Sequence, residues 1–159
     1  MISTLLVEHS ALVPALLVLL ALACVGAGWL VLRHRGAGVL AALSLVPVLA
    51  LTLVPAGGNR LDEVVCVVQF SVPTPGSVEL LANVALFLPP AFFATLATRR
   101  PLVVLAAGTG LSVVIEALQA LVFAIGRACD TNDWMMNTIG VAIGVLLAMG
   151  TLRLAGRSR

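Results

Sequence analysis

Charged residues are scarce in this chain of 159 residues. They make up 10% of it, and hydrophobic residues make up 61%, with a mean hydropathy of +1.16. A soluble domain has about 25% charged residues. So few charges cannot cover the surface of a water-soluble core, which excludes a soluble enzyme, a disordered tail and a secreted disulfide-rich domain. The composition predicts an integral membrane protein.

Lysine is absent, and all nine basic residues are arginines. They form no basic tract of the kind that follows a nucleic-acid backbone, so no nucleic-acid partner is expected. The expected partner is the lipid bilayer. The only histidines, His9 and His34, lie apart from most of the acidic residues. No pattern identifies a metal site, and any cofactor stays unknown.

Five hydrophobic segments are long enough to cross a bilayer, which takes about 20 mostly apolar residues in a helix. Their apolar runs are continuous, whereas the strands of a membrane barrel alternate apolar and polar residues. We therefore expect an all-α, polytopic bundle, with residues 1–159 forming one transmembrane domain. The five segments are Ala11–Leu32, Ala37–Pro55, Glu79–Thr98, Pro101–Ala124 and Trp134–Leu152.

The arginines predict the orientation of the chain, because cytoplasmic loops are enriched in positive charge. Seven of them fall on one side of the five-span arrangement and two on the other. The N-terminus is therefore predicted outside, and the C-terminus in the cytoplasm. The seven are Arg33, Arg35, Arg99, Arg100, Arg153, Arg157 and Arg159, and the two are Arg60 and Arg127.

Glu116 is the one ionisable residue well inside a hydrophobic segment. A charged residue near the centre of a spanning helix costs about 2.5–3.5 kcal/mol on insertion scales, so it normally faces protein and has a partner. Ser112 and Gln119 lie four and three residues from Glu116, on the same helical face. This face predicts a polar stripe directed at other helices.

Other segments place polar residues at the same outer level. Asp133 and Asn137 lie one turn apart at the outer end of the fifth segment, and Glu79 and Asn83 lie one turn apart near the outer end of the third. The connection before the fifth segment adds Arg127 and Asp130. We expect these side chains to form one outward-facing polar pocket.

Two further patterns concern packing. Gly140 and Gly144 form a GxxxG pair, which lets a neighbouring helix approach closely. Pro89 and Pro90 remove hydrogen bonds within the third segment, so we expect a bend there, toward the polar residues.

Residues 56–78 form the predicted extracytoplasmic loop, which contains an apolar stretch too short to span a bilayer. An interfacial or re-entrant cap is the expected structure. Cys66 and Cys129 are both predicted outside, where disulfides persist. A bond between them would fix the cap to the connection that carries Arg127 and Asp130, although spacing alone leaves bonded and free cysteines both open.

Three polar motifs occur in a fixed order along the second half of the chain. They read Asn83-x-x-Leu86-Phe87-x-Pro89, Ser112-x-x-x-Glu116-x-x-Gln119 and Arg127-x-x-Asp130-x-x-Asp133-x-x-x-Asn137-Thr138-x-Gly140. Together, over residues 83–144, they resemble the VanZ-like family of bacterial membrane proteins. The chain departs from the family pattern at Ala91, where a glycine is usual.

The resemblance implies a multi-pass protein of the bacterial cytoplasmic membrane that serves the cell envelope. The namesake of the family is associated with resistance to the glycopeptide teicoplanin, independently of the usual remodelling of peptidoglycan precursors. The implied partner is a lipid-linked envelope precursor or a glycopeptide.

Three classes of function fit the polar pocket, and the first is an active site for an amphiphilic envelope substrate. Glu116 would be a general acid or base, and Arg127 would hold a phosphate or carboxylate. Asp130 and Asp133 would position a hydroxyl or a divalent cation. The residues that would contact the ligand are Asn83, Ser112, Gln119 and Asn137.

The second class is a non-enzymatic module that binds the same kind of ligand, which the lack of a recognisable nucleophile motif favours. The third is a proton-coupled transporter, which is disfavoured because five spans show no inverted repeat. A purely structural role, with the polar residues joining helices by hydrogen bonds, is a further alternative. The sequence does not decide whether the protein is an enzyme.

Overall fold

The computed structural model describes residues 12–34, 36–55, 66–74 and 76–157. These residues form a bundle of five α-helices, which confirms the predicted all-α fold. The only strands among them, β1 and β2, are two residues each and pair in parallel. The elements in chain order are α1 Val13–His34, α2 Ala37–Leu53, β1 Cys66–Val67, α3 Val78–Thr98, α4 Pro101–Leu121, a 3-10 turn Phe123–Ile125, β2 Cys129–Asp130 and α5 Thr131–Arg157.

Four of the helices are long and apolar enough to cross a membrane. They are Val13–Leu32, Val78–Thr98, Pro101–Leu121 and Thr131–Gly156. The remaining helix, α2, is equally apolar but has 17 residues, the lower end of the length range of spanning helices. Which end of the bundle faces outward stays a prediction.

The helix ends differ from the predicted segments around the α4–α5 connection. Helix α4 ends at Leu121 instead of Ala124, and α5 begins at Thr131 instead of Trp134. Asp130 explains the early start of α5, because its Oδ1 accepts a hydrogen bond from the Asn132 N–H at 2.8 Å. This is the N-cap arrangement that begins helices. Hydropathy marks the apolar part of α5 and misses its polar first turn.

Helix α3 lies at the centre of the bundle and contacts each of the other four helices. It continues through Pro89 and Pro90, so the bend predicted at these prolines stays a prediction. Helix α3 ends at Thr98, and the next residue, Arg99, donates its N–H to the Thr95 carbonyl and turns the chain out of the helix with a left-handed backbone (φ 56°). Pro101 then starts α4 at a position where proline is favoured.

The contact between α3 and α5 is the most extensive in the bundle. Gly140 and Gly144 lie against the backbone carbonyls of Val84 and Leu88, so that a side chain at either glycine would collide with α3. The GxxxG pair therefore allows backbone contact, as predicted for such pairs. We call this contact the α3–α5 seam.

The chain after residue 65 is fastened to the start of α5. Cys66 and Cys129 form a disulfide, and their strands pair. Thr131 Oγ1 accepts from the Gln69 N–H at 2.9 Å and lies 2.7 Å from the Gln69 carbonyl. The Asn132 side chain accepts from Ser71 N–H at 2.8 Å. Residues 66–71 thus form a cap that is docked at the end of the bundle where α5 begins. Residues 56–65 of the predicted cap lie outside the described residues.

Candidate functional site

A polar cavity of about 250 Å³ opens at the end of the bundle where α2 and α4 finish and α3 and α5 begin. Each of these four helices contributes to its wall. The lining residues are Leu51, Thr52, Glu79, Ala82, Asn83, Leu86, Glu116, Gln119, Arg127, Asp133 and Asn137.

Glu116 reaches this cavity from the next-to-last turn of α4. The residue is 8% exposed. Its Oε2 accepts a hydrogen bond of 2.8 Å from the Asp130 N–H, which holds the carboxylate in a fixed position. A buried carboxylate normally requires such a partner. The same bond ties the end of α4 to the start of α5.

Two asparagines bridge helices beside Glu116. Asn83 of α3 donates from Nδ2 to Asp133 Oδ1 of α5. Asn137 of α5 donates from Nδ2 to Ser112 Oγ of α4 at 2.9 Å. Both bonds join helices, as the structural alternative predicts. They also orient both asparagines in the cavity wall.

Asn137 has a further property that a purely structural bridge does not explain. The residue is 2% exposed, and its Oδ1 is buried and accepts no hydrogen bond from any part of the chain that the structure describes. Leaving a buried acceptor unpaired costs about 1–3 kcal/mol. Asn137 lines the polar cavity, whereas this oxygen itself is closed off from solvent.

Gln119 of α4 lies at the same end of the bundle and contacts the end of α2. Its Nε2 donates to the Thr52 carbonyl at 2.9 Å. This carbonyl belongs to the last turn of α2, where helix carbonyls have no partner within the helix. Gln119 therefore links α4 to α2 and also forms part of the cavity wall.

Arg127 and Asp130 lie at the mouth of the site. Arg127 is exposed and lines the cavity, and its positive charge acts on Asp133. The Asp130 carboxylate caps α5 and accepts from Gln69 Nε2 at 2.6 Å. Asp130 lines an adjoining cavity of about 230 Å³, which shares Arg127, Asp133, Gln119 and Glu79 with the first.

Most of the residues proposed from the sequence therefore meet in one place. Six of them line the polar cavity, and Asp130 lines the adjoining one. Ser112 lines neither, because it is fully buried beneath Asn137. The six are Asn83, Glu116, Gln119, Arg127, Asp133 and Asn137.

Two polar lining residues were not proposed as site residues. Glu79 lies one turn before Asn83 and belongs to the polar residues that the sequence places at this level, although it was left out of the proposed ligand contacts. Thr52 contributes through a helix end, which no sequence motif marks.

The cavity is rich in hydrogen-bond acceptors. Glu79, Glu116 and Asp133 bring three carboxylates, against the single guanidinium of Arg127. No group of three histidine, cysteine or acidic side chains suited to a metal ion occurs among the described residues. The arrangement fits a ligand that brings donors, such as hydroxyl or ammonium groups, more closely than it fits a phosphate.

A family model described as VanZ/LLP1 matches residues 11–154. No curated protein and no solved structure matches the chain. The match includes the first two helices, which carried none of the motifs, as well as the cavity. The chain is therefore a membrane protein that belongs to the VanZ/LLP1 family.

Proposed function

We propose that the polar cavity binds the polar headgroup of an amphiphilic ligand of the cell envelope, either a lipid-linked glycan or a glycopeptide antibiotic. The site would face the extracytoplasmic side of the bacterial cytoplasmic membrane, as the arginine distribution predicts. The protein would thereby contribute to glycopeptide resistance.

The acceptor-rich wall of the polar cavity carries this proposal, because it brings three carboxylates against one guanidinium. The carboxylates belong to Glu79, Glu116 and Asp133. A ligand that brings hydroxyl or amine donors would pair with them, and hydrogen bonds to ionised acceptors are stronger than those between neutral groups. Sugars and amino sugars carry several such donors, which supports a glycan or glycopeptide headgroup.

The first test is teicoplanin susceptibility of a sensitive bacterial host that expresses the chain. Glu116→Gln removes the charge but keeps an oxygen that can accept from the Asp130 N–H. Arg127→Ala removes the cation at the mouth. We expect the wild type to protect the host and both variants to lose protection at matched membrane levels.

Arg100→Ala is the matched control, because Arg100 is also an exposed arginine but lies at the opposite end of the bundle. It should protect like the wild type. Equal protection by all four chains, or by none, would contradict the proposal for this ligand class.

Catalysis is a second candidate, and the geometry of Glu116 favours it. The Asp130 N–H fixes Oε2, so the carboxylate is held at the cavity wall as an acid or base must be. Incubation of a lipid-linked precursor with purified membranes separates the two candidates. A product that Glu116→Gln membranes do not form supports catalysis, whereas stoichiometric retention without product supports binding alone.

A further inference from the structure

A second cavity lies between the polar one and the opposite end of the bundle. It has a volume of about 310 Å³ and an almost entirely apolar wall. The same four helices line it, with residues such as Leu45 of α2, Ala94 of α3, Ala107 of α4 and Val141 of α5. We call this cavity the apolar groove.

The groove and the polar cavity occupy the same face of each helix. On α3 the wall passes from Asn83 through Phe87 to Ala94, and on α5 it passes from Asn137 to Val141. These steps of four and seven residues keep to one side of a helix. The two cavities are therefore stacked along the bundle, polar at one end and apolar below.

The groove is open toward the side of the bundle. Helices α2 and α4 barely touch each other, although each packs against its other neighbours. Val103 and Ala107, which line the groove on α4, are exposed. In a bilayer this opening would face the hydrocarbon core, which contains apolar chains and no water.

The dimensions fit one chain of an amphiphile. Glu116 and Val104 are twelve residues apart on α4, a rise of about 18 Å at 1.5 Å per residue. One leaflet of the hydrocarbon core is about 15 Å deep. The polar cavity alone is smaller than the roughly 300–1,000 Å³ of ligand pockets, and the two cavities together fall within that range.

We propose that the apolar groove holds the hydrocarbon chain of the same ligand whose headgroup occupies the polar cavity, and that this chain enters sideways from the bilayer between α2 and α4. The proposal rests on the proposed function for the headgroup and adds a second, separable site. It identifies the ligand as a lipid-like amphiphile that reaches the protein through the membrane.

Photocrosslinking of dodecyl maltoside tests this proposal, because the probe joins a donor-rich sugar to a single alkyl chain. Two forms are used with the full chain in phospholipid vesicles, one with a diazirine at the chain end and one with a diazirine on the sugar. Crosslinked residues are located by mass spectrometry. We expect the chain-end probe to label the groove and the sugar probe to label the polar cavity.

Two matched pairs of variants locate the chain. Ala107→Phe and Ala94→Phe fill the groove, whereas Ala106→Phe and Ala97→Phe place the same ring on neighbouring exposed positions outside it. We expect chain-end labelling of the groove to fall to the level of lipid-facing positions in the first two variants. It should be unchanged in the other two, with all four chains checked for an unchanged melting temperature.

The outcomes separate the two proposals. Chain-end labelling that is equal in all four variants overturns the proposal that the groove holds the hydrocarbon chain, even where the sugar probe still labels the cavity. Sugar labelling that never reaches the cavity, or that Asn137→Leu leaves unchanged, overturns the headgroup site instead. Labelling of both regions, each lost only with its own variants, supports the combined site.

Discussion

The α3–α5 seam and the side of the bundle between α2 and α4 use similar small residues but pack in opposite ways. At the seam, Gly140 and Gly144 place two helix backbones in direct contact. Between α2 and α4, Ala94 and Ala107 line open space. A small residue on an apolar helix can therefore close a contact or leave a cavity.

The comparison shows that what lies opposite a small residue decides its role. A backbone opposite a glycine leaves no room and makes a rigid contact. Alanines with no helix opposite them leave space that a ligand or lipid fills. The bundle thus has one side suited to support and one suited to binding, and substitutions should affect the two sides differently.

The largest effect is expected from Gly144→Leu at the seam. The new side chain would meet the Leu88 carbonyl and force α5 away from α3. Overpacking of a well-packed interior costs about 1–3 kcal/mol and sometimes more, and a backbone contact can relax least. We expect loss of folded protein from the membrane, measured as monodisperse protein after solubilisation.

Gly150→Leu is its control, since a Cβ at Gly150 of the same helix meets nothing within 4 Å. It should accumulate like the wild type. Normal folding of Gly144→Leu would show that the seam is not the tight contact described above.

An intermediate effect is expected when the cap is released. The Cys66→Ser and Cys129→Ser double variant removes a crosslink between residues 63 positions apart. Disulfides in soluble proteins typically contribute about 2–4 kcal/mol. The contribution of this disulfide to the free energy of unfolding should be smaller, because α3 and α4 stay in the membrane when the cap detaches.

Limited proteolysis within residues 66–74 measures this release, and it should become faster while the seam is unaffected. Cys24→Ala, at a buried cysteine that is not in the disulfide, is the comparison variant and should be cleaved at the wild-type rate. Equal rates in all chains would mean that hydrogen bonds alone hold the cap.

The smallest effect is expected from Ala107→Leu on the open side. The added side chain enters the groove without meeting a backbone, so the free energy of unfolding should stay within about 0.5 kcal/mol of the wild type. Thermal unfolding in detergent micelles checks this value. A loss of stability comparable to that of Gly144→Leu would show that the groove has no room for the added side chain. The two sides of the bundle would then not differ in packing.

Much of this structure could be predicted because the bilayer imposes strong rules on sequence. Long apolar runs must be helices, and a buried carboxylate such as Glu116 must face protein. The helix ends at Leu121 and Thr131 could not be predicted, because capping by Asp130 and not hydropathy sets the start of α5. The exclusion of Ser112 from the cavity depends on a bond from Asn137 that spacing does not reveal.

The sequence by itself determined the helical bundle, the family and most of the residues that line the polar cavity, since each follows from apolar length or from spacing on one helix face. Only the tertiary structure decided that Asn137 keeps an unpaired oxygen, that Gln119 joins the end of α2, and that an apolar groove lies below the cavity. These features depend on which helices meet. In a chain whose helices are apolar on most sides, packing and not hydropathy settles that choice.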